Sequence, residues 1–98
     1  MKYLYHPEAL AEYADAALYF EERAPGLGTD FTIEVEDAIQ QVTQAPDRWR
    51  CVDEDIHRFL VRRFPYGILY TVEDEYVLIV AVMHLSREPG YWRHRLTS

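Results

Sequence analysis

Apolar residues recur at helical spacing early in the chain and at strand spacing late in it, and this change of period divides the sequence into two halves. From Pro7 to about Arg23, Leu10, Tyr13, Ala14, Ala17 and Phe20 return every three or four positions, with Glu8, Glu12, Asp15 and Glu22 mostly between them. That spacing predicts an amphipathic helix, entered through His6-Pro7 because proline is tolerated in a first turn. Ahead of it, Lys2-Tyr3-Leu4-Tyr5 reads as a short strand. Ala24-Pro25-Gly26-Leu27-Gly28 joins a helix breaker to two residues that accept positive φ, so the chain reverses there. Thr29 or Asp30 is expected to cap a second helix carrying Phe31, Val35, Ala38, Ile39 and Val42, which Ala45-Pro46 ends. Helices joined so closely are expected to form an antiparallel hairpin.

Between Asp47 and Asp55 no period persists, and the segment reads as a connecting loop. Beyond it, Ile56 to Phe64, Tyr66 to Val72 and Tyr76 to His84 are rich in β-branched and aromatic residues, with Glu73-Asp74-Glu75 as a hairpin break. Three antiparallel strands are predicted. The last of them is apolar at consecutive positions from Tyr76 to Met83, as a central strand covered on both faces would be. With the N-terminal strand pairing at an open edge, the predicted fold is a two-layer α+β domain of order β-α-α-β-β-β, a helical hairpin packed on a small antiparallel sheet.

At 98 residues, 49% of them hydrophobic, the chain suits one domain spanning 1–98 with a core that needs no metal or disulfide. Its single cysteine, Cys51, has no thiol nearby in sequence to pair with, which suits a reducing cytoplasmic setting. The longest apolar run falls far short of the roughly 20 residues that span a bilayer, so no membrane partner is expected. The net charge of −7 argues against a general nucleic-acid binder, and no direct recognition of DNA sequence is expected. The average conceals an asymmetry. Residues 1 to 55 carry 13 acids against 4 bases, whereas residues 56 to 98 carry 4 acids against 6 bases, so an anionic partner would meet the second half.

Candidate chemistry lies in that half. Alternation along the first of the three strands would put Arg58 and Arg62 on one face, where two planar guanidinium forks can hold phosphate or carboxylate oxygens. The same pair also suits a solvated face or ion pairs within an acidic chain. His84 ends the apolar strand, a position suited to a general acid or base and equally to a ring that packs against the sheet end. Arg87 and Tyr91 follow, suited to stabilising phosphoryl charge and stacking on a base, or to closing the core. Trp92 reads as core or interface. His6, His57, His84 and His94 lack metal-site spacing, and the acidic triplets read as solvated turns, so neither metal nor cofactor is expected.

Tyr5-His6-Pro7, Tyr19-Phe20-Glu21 and Pro25-Gly26-Leu27-Gly28 with Phe31 behind it make a familiar sequence of pieces. Arg62-Arg63-Phe64-Pro65-Tyr66 and the tail His84-Leu85-Ser86-Arg87-Glu88-Pro89-Gly90-Tyr91-Trp92 complete it, so that about nine-tenths of the chain resembles the plasmid-stabilisation branch of the RelE/ParE toxins. The resemblance implies the toxin of a bacterial type II toxin-antitoxin pair, held inactive by a cognate antitoxin. RelE-like members cleave messenger RNA on the ribosome without metal, a role for which His84, Arg87, Tyr91 and Arg62 would be the catalytic candidates. ParE-like members inhibit DNA gyrase by binding, for which Arg58, Arg62, Arg87, Tyr91 and Trp92 would supply contacts to target or antitoxin. Lys2 is the only lysine, unlike the lysine-rich set of RelE-type nucleases, which favours the gyrase reading. A remnant that retains only antitoxin binding is the third alternative. The antitoxin is expected on exposed apolar positions of the helix pair or in the groove beside the last strand.

Overall fold

In a computed structural model, which describes residues 1–96, the chain runs β1 (Lys2–Tyr5), α1 (Pro7–Arg23), α2 (Leu27–Gln44), β2 (Cys51–Asp53), β3 (Ile56–Leu60), β4 (Tyr66–Val72), β5 (Tyr76–His84) and a short 3-10 turn over Arg93–Leu96. Helix α1 starts where His6 turns its ring back to accept the Glu8 amide at 3.1 Å, with Pro7 in the first turn. No helix among the described residues is long and apolar enough to cross a membrane.

Helix α2 begins earlier than its sequence suggests, because its cap comes from the other helix. Gly26 adopts φ 86°, and the Glu21 carboxylate at the end of α1 accepts the amides of Gly26 at 3.0 Å and Gly28 at 3.1 Å. These would otherwise be orphan donors of the first turn, so Thr29 and Asp30 lie inside the helix and cap nothing. The same junction requires glycine at 28. A Cβ there would stand 2.5 Å from the Ala17 carbonyl oxygen and 2.8 Å from the Glu21 Cβ, so the absence of a side chain lets the helices close.

The buried face of α2 is the predicted one, but that of α1 is rotated. Ala9, Tyr13 and Ala16 are buried, with Ala17 and Phe20 packed against them, whereas Leu10 is half exposed and Ala14 faces solvent. Small alanines allow α1 to sit close to the sheet, which the bulkier Leu10 would prevent. Phe20, Phe31, Phe64 and Tyr66 meet edge-on or tilted, with ring centroids 4.9 to 5.9 Å apart, and tie the hairpin to the sheet.

The five strands lie in the order β1-β5-β4-β3-β2. β1 takes the edge beside β5, as expected, but runs parallel to it, so the sheet is mixed rather than wholly antiparallel. The helical hairpin returns the chain to the end of the sheet where β1 finished, and the antiparallel run β2, β3, β4, β5 then brings β5 in parallel to β1. The segment read as a loop contains β2, which pairs with β3 through Cys51 and His57. Strand β3 stops at Leu60 instead of Phe64, because Arg63 takes φ 69° and the Val61 amide turns back to the Tyr66 carbonyl at 2.9 Å. Arg62 therefore leaves the face it was expected to share with Arg58.

Strand β5 has apolar contacts on both sides, and its phase shifts midway. Leu69 pairs with Ala81 but Tyr70 pairs with Ile79, leaving Val80 as the extra residue of a β-bulge. Val77, Ile79 and Val82 accordingly face the helices, whereas Val80 and Ala81 both join Ile56, Leu69 and Trp92 in a second cluster on the opposite face. The C-terminal segment covers that second face. Gly28→Ala is expected to destabilise the fold by about 2 kcal/mol through overpacking, as read from the urea midpoint at unchanged slope.

Candidate functional site

The bulge decides where His84 points. Strict alternation would place it with Val80, but the added residue turns it with Val82 toward α1, into an open cleft of about 380 Å³ lined also by Glu12, Tyr19, Tyr66, Arg87 and Tyr91. Nδ1 of His84 accepts the Ser86 amide at 3.0 Å and lies 2.7 Å from the Ser86 hydroxyl. An amide can only donate, so a neutral ring carries its proton on Nε2. The imidazole meets the Tyr66 ring edge-on at 5.3 Å.

Arg87 and Tyr91 belong to the same cleft. The Arg87 guanidinium lies 3.8 Å from the Tyr91 ring centroid and 3.6 Å from the exposed Glu88 carboxylate. The Arg95 guanidinium approaches the same ring at 5.1 Å. The Tyr91 hydroxyl donates to Glu12 Oε2. Burial first, and then this bond and the charge of Glu12, raise the Tyr91 pKa well above the ordinary phenol value.

Glu12 is the residue that sequence reading passed over. Its Oε1 accepts the Val82 amide at 3.1 Å and Nη1 of Arg95 at 2.7 Å, and its Oε2 accepts Nη2 of Arg95 at 3.0 Å besides the Tyr91 hydroxyl. Arg95, its side chain only 5% exposed, also donates to the Val80 carbonyl at 3.0 Å. Desolvation works against the Arg95 charge, but the Glu12 carboxylate outweighs it and the guanidinium pKa is raised. Nearby, Glu8 accepts from His94 at 2.9 Å, which with the neighbouring positive charge lowers the Glu8 pKa. Glu8 and Glu12 sit one turn apart on α1, but the sequence carries no local sign that their partners lie 70 to 86 residues away.

The remaining predicted residues are elsewhere. Arg62 is exposed on the bend after β3 and does not line the cleft. Arg58 lies across the sheet, in a second groove that Arg87 and Trp92 also line, and Trp92 is itself buried at 5% exposure in the second cluster. The structure thus unites His84, Arg87 and Tyr91, separates them from Arg62, and leaves Arg87 on the rim of both depressions. Among the described residues, no three His, Cys, Asp or Glu side chains converge as metal ligands would.

Residues 3–89 match the sequence profile of the ParE toxin of the type II toxin-antitoxin system, parDE. The chain belongs to that family. No curated protein matches it in sequence. Among solved structures, a chain from the chromosomal ParDE TA system of P. aeruginosa aligns with a TM-score of 0.76, over 86% of this chain and 95% of that one, at 10% identity. At that identity the likeness carries the fold, two helices on one face of the sheet. The family match includes Glu12, His84 and Arg87 and stops at Pro89, so this ParE-family chain holds Glu12 with two residues, Tyr91 and Arg95, that lie beyond it.

Two outcomes follow from this geometry. Glu12→Ala strands the Val82 amide, the Tyr91 hydroxyl and the buried Arg95 charge together, and is expected to lower stability by about 3 kcal/mol in urea unfolding. Burial also holds the pKa of Tyr5, Tyr13, Tyr66 and Tyr91 above the ordinary 10.0 and pushes Tyr70 up to about 12. The folded chain therefore retains phenolic protons that the unfolded chain loses, so stability is kept below pH 10 and falls as pH rises from 10 toward 12. Urea midpoints from pH 8 to pH 11 check this, with a decline confined to the alkaline end.

Proposed function

We propose that this ParE-family chain is the toxin of a type II toxin-antitoxin pair, neutralised by a cognate antitoxin, and that it acts by binding DNA gyrase rather than by cutting RNA. The observation that carries the choice is the state of Tyr91. A nuclease reading asks this residue to stack on a base or to transfer a proton, yet its hydroxyl is given to Glu12 and its ring is approached by Arg87 and Arg95. Its chemistry is spent inside the fold. His84 has Ser86 for its hydrogen-bond partner instead of a carboxylate, and Arg62 lies away from the cleft, so the four residues of the nuclease reading do not converge on one phosphate.

Charge points the same way. The cleft that holds His84 and Arg87 is also lined by Glu12 and Asp15, and the chain as a whole carries −7, a poor surface for a polyanion and an ordinary one for a protein. Exposed Leu10, Leu18, Tyr19 and Ile33 add apolar contact area on the helix pair. The test uses purified toxin freed of antitoxin, in parallel gyrase-supercoiling and translation reactions. Loss of supercoiling with intact messenger RNA is expected. Cleavage of messenger RNA that His84→Gln or Arg87→Ala abolishes would overturn the reading.

A further inference from the structure

The groove on the face of the sheet opposite the helices has apolar walls and an unsatisfied cation, and the two features together specify a ligand. Val52, Leu69, Met83, Leu85 and Trp92 line it, in a space of about 320 Å³ between β2–β3 and the C-terminal segment. Val52 and Leu85 are 37% and 43% exposed although both are fully apolar. Arg58 forms one side. Its stem and the Leu85 side chain both lie over Gly67, where a Cβ would be 3.4 Å from Arg58 Cγ and 3.5 Å from Leu85 Cδ2, ordinary contact distances.

The groove is lined by three arginines, Arg58, Arg87 and Arg93, against one acid, Asp53. Acids outnumber lysine and arginine by 17 to 10, and four of the nine arginines have a carboxylate within reach among the described residues. Arg63 reaches Asp30 and Glu34, Arg87 reaches Glu88, Arg93 reaches Asp53, and Arg95 reaches Glu8 and Glu12. Arg58 has no carboxylate or carbonyl bonded to its guanidinium among the described residues. The Arg58 amide bonds the Arg50 carbonyl at 3.0 Å, so the exposed Arg50 lies on the neighbouring backbone, outside the groove's lining. Arg58, a groove cation with no carboxylate partner among the described residues and next to exposed aliphatic side chains, is suited to an external anion that also carries an apolar group.

We infer that this groove docks a segment of a partner protein in which a bulky apolar side chain is flanked by aspartate or glutamate, the apolar group entering between Leu85 and Val52 and a carboxylate meeting Arg58. A nucleic acid fits less well, because no aromatic face is open here for a base. Trp92 is buried, and the Tyr91 ring is covered by Arg87. The assignment rests on the reading that this toxin works through protein partners and names the chemistry one of them presents.

A random peptide library displayed on phage, selected on the wild-type chain and counter-selected on Arg58→Glu, tests it. Selected peptides are expected to carry acidic residues beside Leu, Phe or Trp. Synthetic copies should bind wild type, lose roughly tenfold in affinity to Arg58→Glu and to Leu85→Asp, and bind Arg58→Lys nearly as well. Thermal unfolding of each variant separates lost binding from lost folding. Neutral or basic consensus peptides, or equal binding to Arg58→Glu, would overturn the inference, as would an oligonucleotide that binds wild type and not Arg58→Glu while no peptide is enriched. Supercoiling assays on the same variants keep the two readings apart: a toxin that inhibits gyrase but selects no acidic peptide loses only the groove assignment.

Discussion

One carboxylate, that of Glu12, completes the structure where the sheet itself does not. Strand β1 pairs with β5 from Tyr76 to Ile79, and its last contact is the His6 amide on the Ile79 carbonyl. Beyond that point the backbone of β5 still requires partners, since buried amides and carbonyls left without them cost more than most single contacts return. Glu12 supplies one to the Val82 amide, and Arg95 supplies one to the Val80 carbonyl. The two side chains also hold each other in a bidentate pair. Burying such a pair is expensive in isolation, and its retention is understandable because it closes the edge and anchors the tail at once. α1, β5 and the C-terminal turn are thereby fixed to one another.

The functional surface inherits its shape from that anchor. With the tail held, Tyr91 lies under Arg87, Trp92 closes the second cluster, and Arg87 is left at the boundary between two depressions. The bulge at Val80 contributes equally, because it turns His84 toward the helices. In the cleft the Tyr91 hydroxyl is bonded to Glu12 and Arg87 lies against the Tyr91 ring, whereas Arg58, across the sheet, has no carboxylate partner among the described residues. A toxin that works by occupying a partner protein needs a recognition surface and can dispense with an assembled catalytic group.

The sequence announced the elements well and their joins poorly. Periodicity located both helices and the two longest strands, because each buries one continuous face or an unbroken apolar run. It missed β2, where three residues of mixed character gain strand structure only by pairing with β3, and it ran β3 on through Arg63, whose left-handed backbone leaves no compositional trace. The helix α2 cap came from Glu21, seven residues before the second amide it accepts, where a local cap was expected. Of the site, His84, Arg87, Tyr91 and Trp92 stood out as residue types able to bind or react. Glu12 did not, since an acid on an amphipathic helix looks like any other solvated acid until the tail folds over it. The bulge was equally hidden, because a run of consecutive apolar residues has no alternation to break.

Amide hydrogen exchange at Val82 tests the anchoring role of Glu12 most directly. No strand pairs this amide, and a side-chain carboxylate is its acceptor. If Glu12 closes the edge, Val82 exchanges as slowly as the β5 amides that pair with β4, and the backbone around Arg95 is protected with it. Rapid exchange at Val82, with its β4-paired neighbours still protected, would show an edge that is open and a tail that Glu12 does not hold.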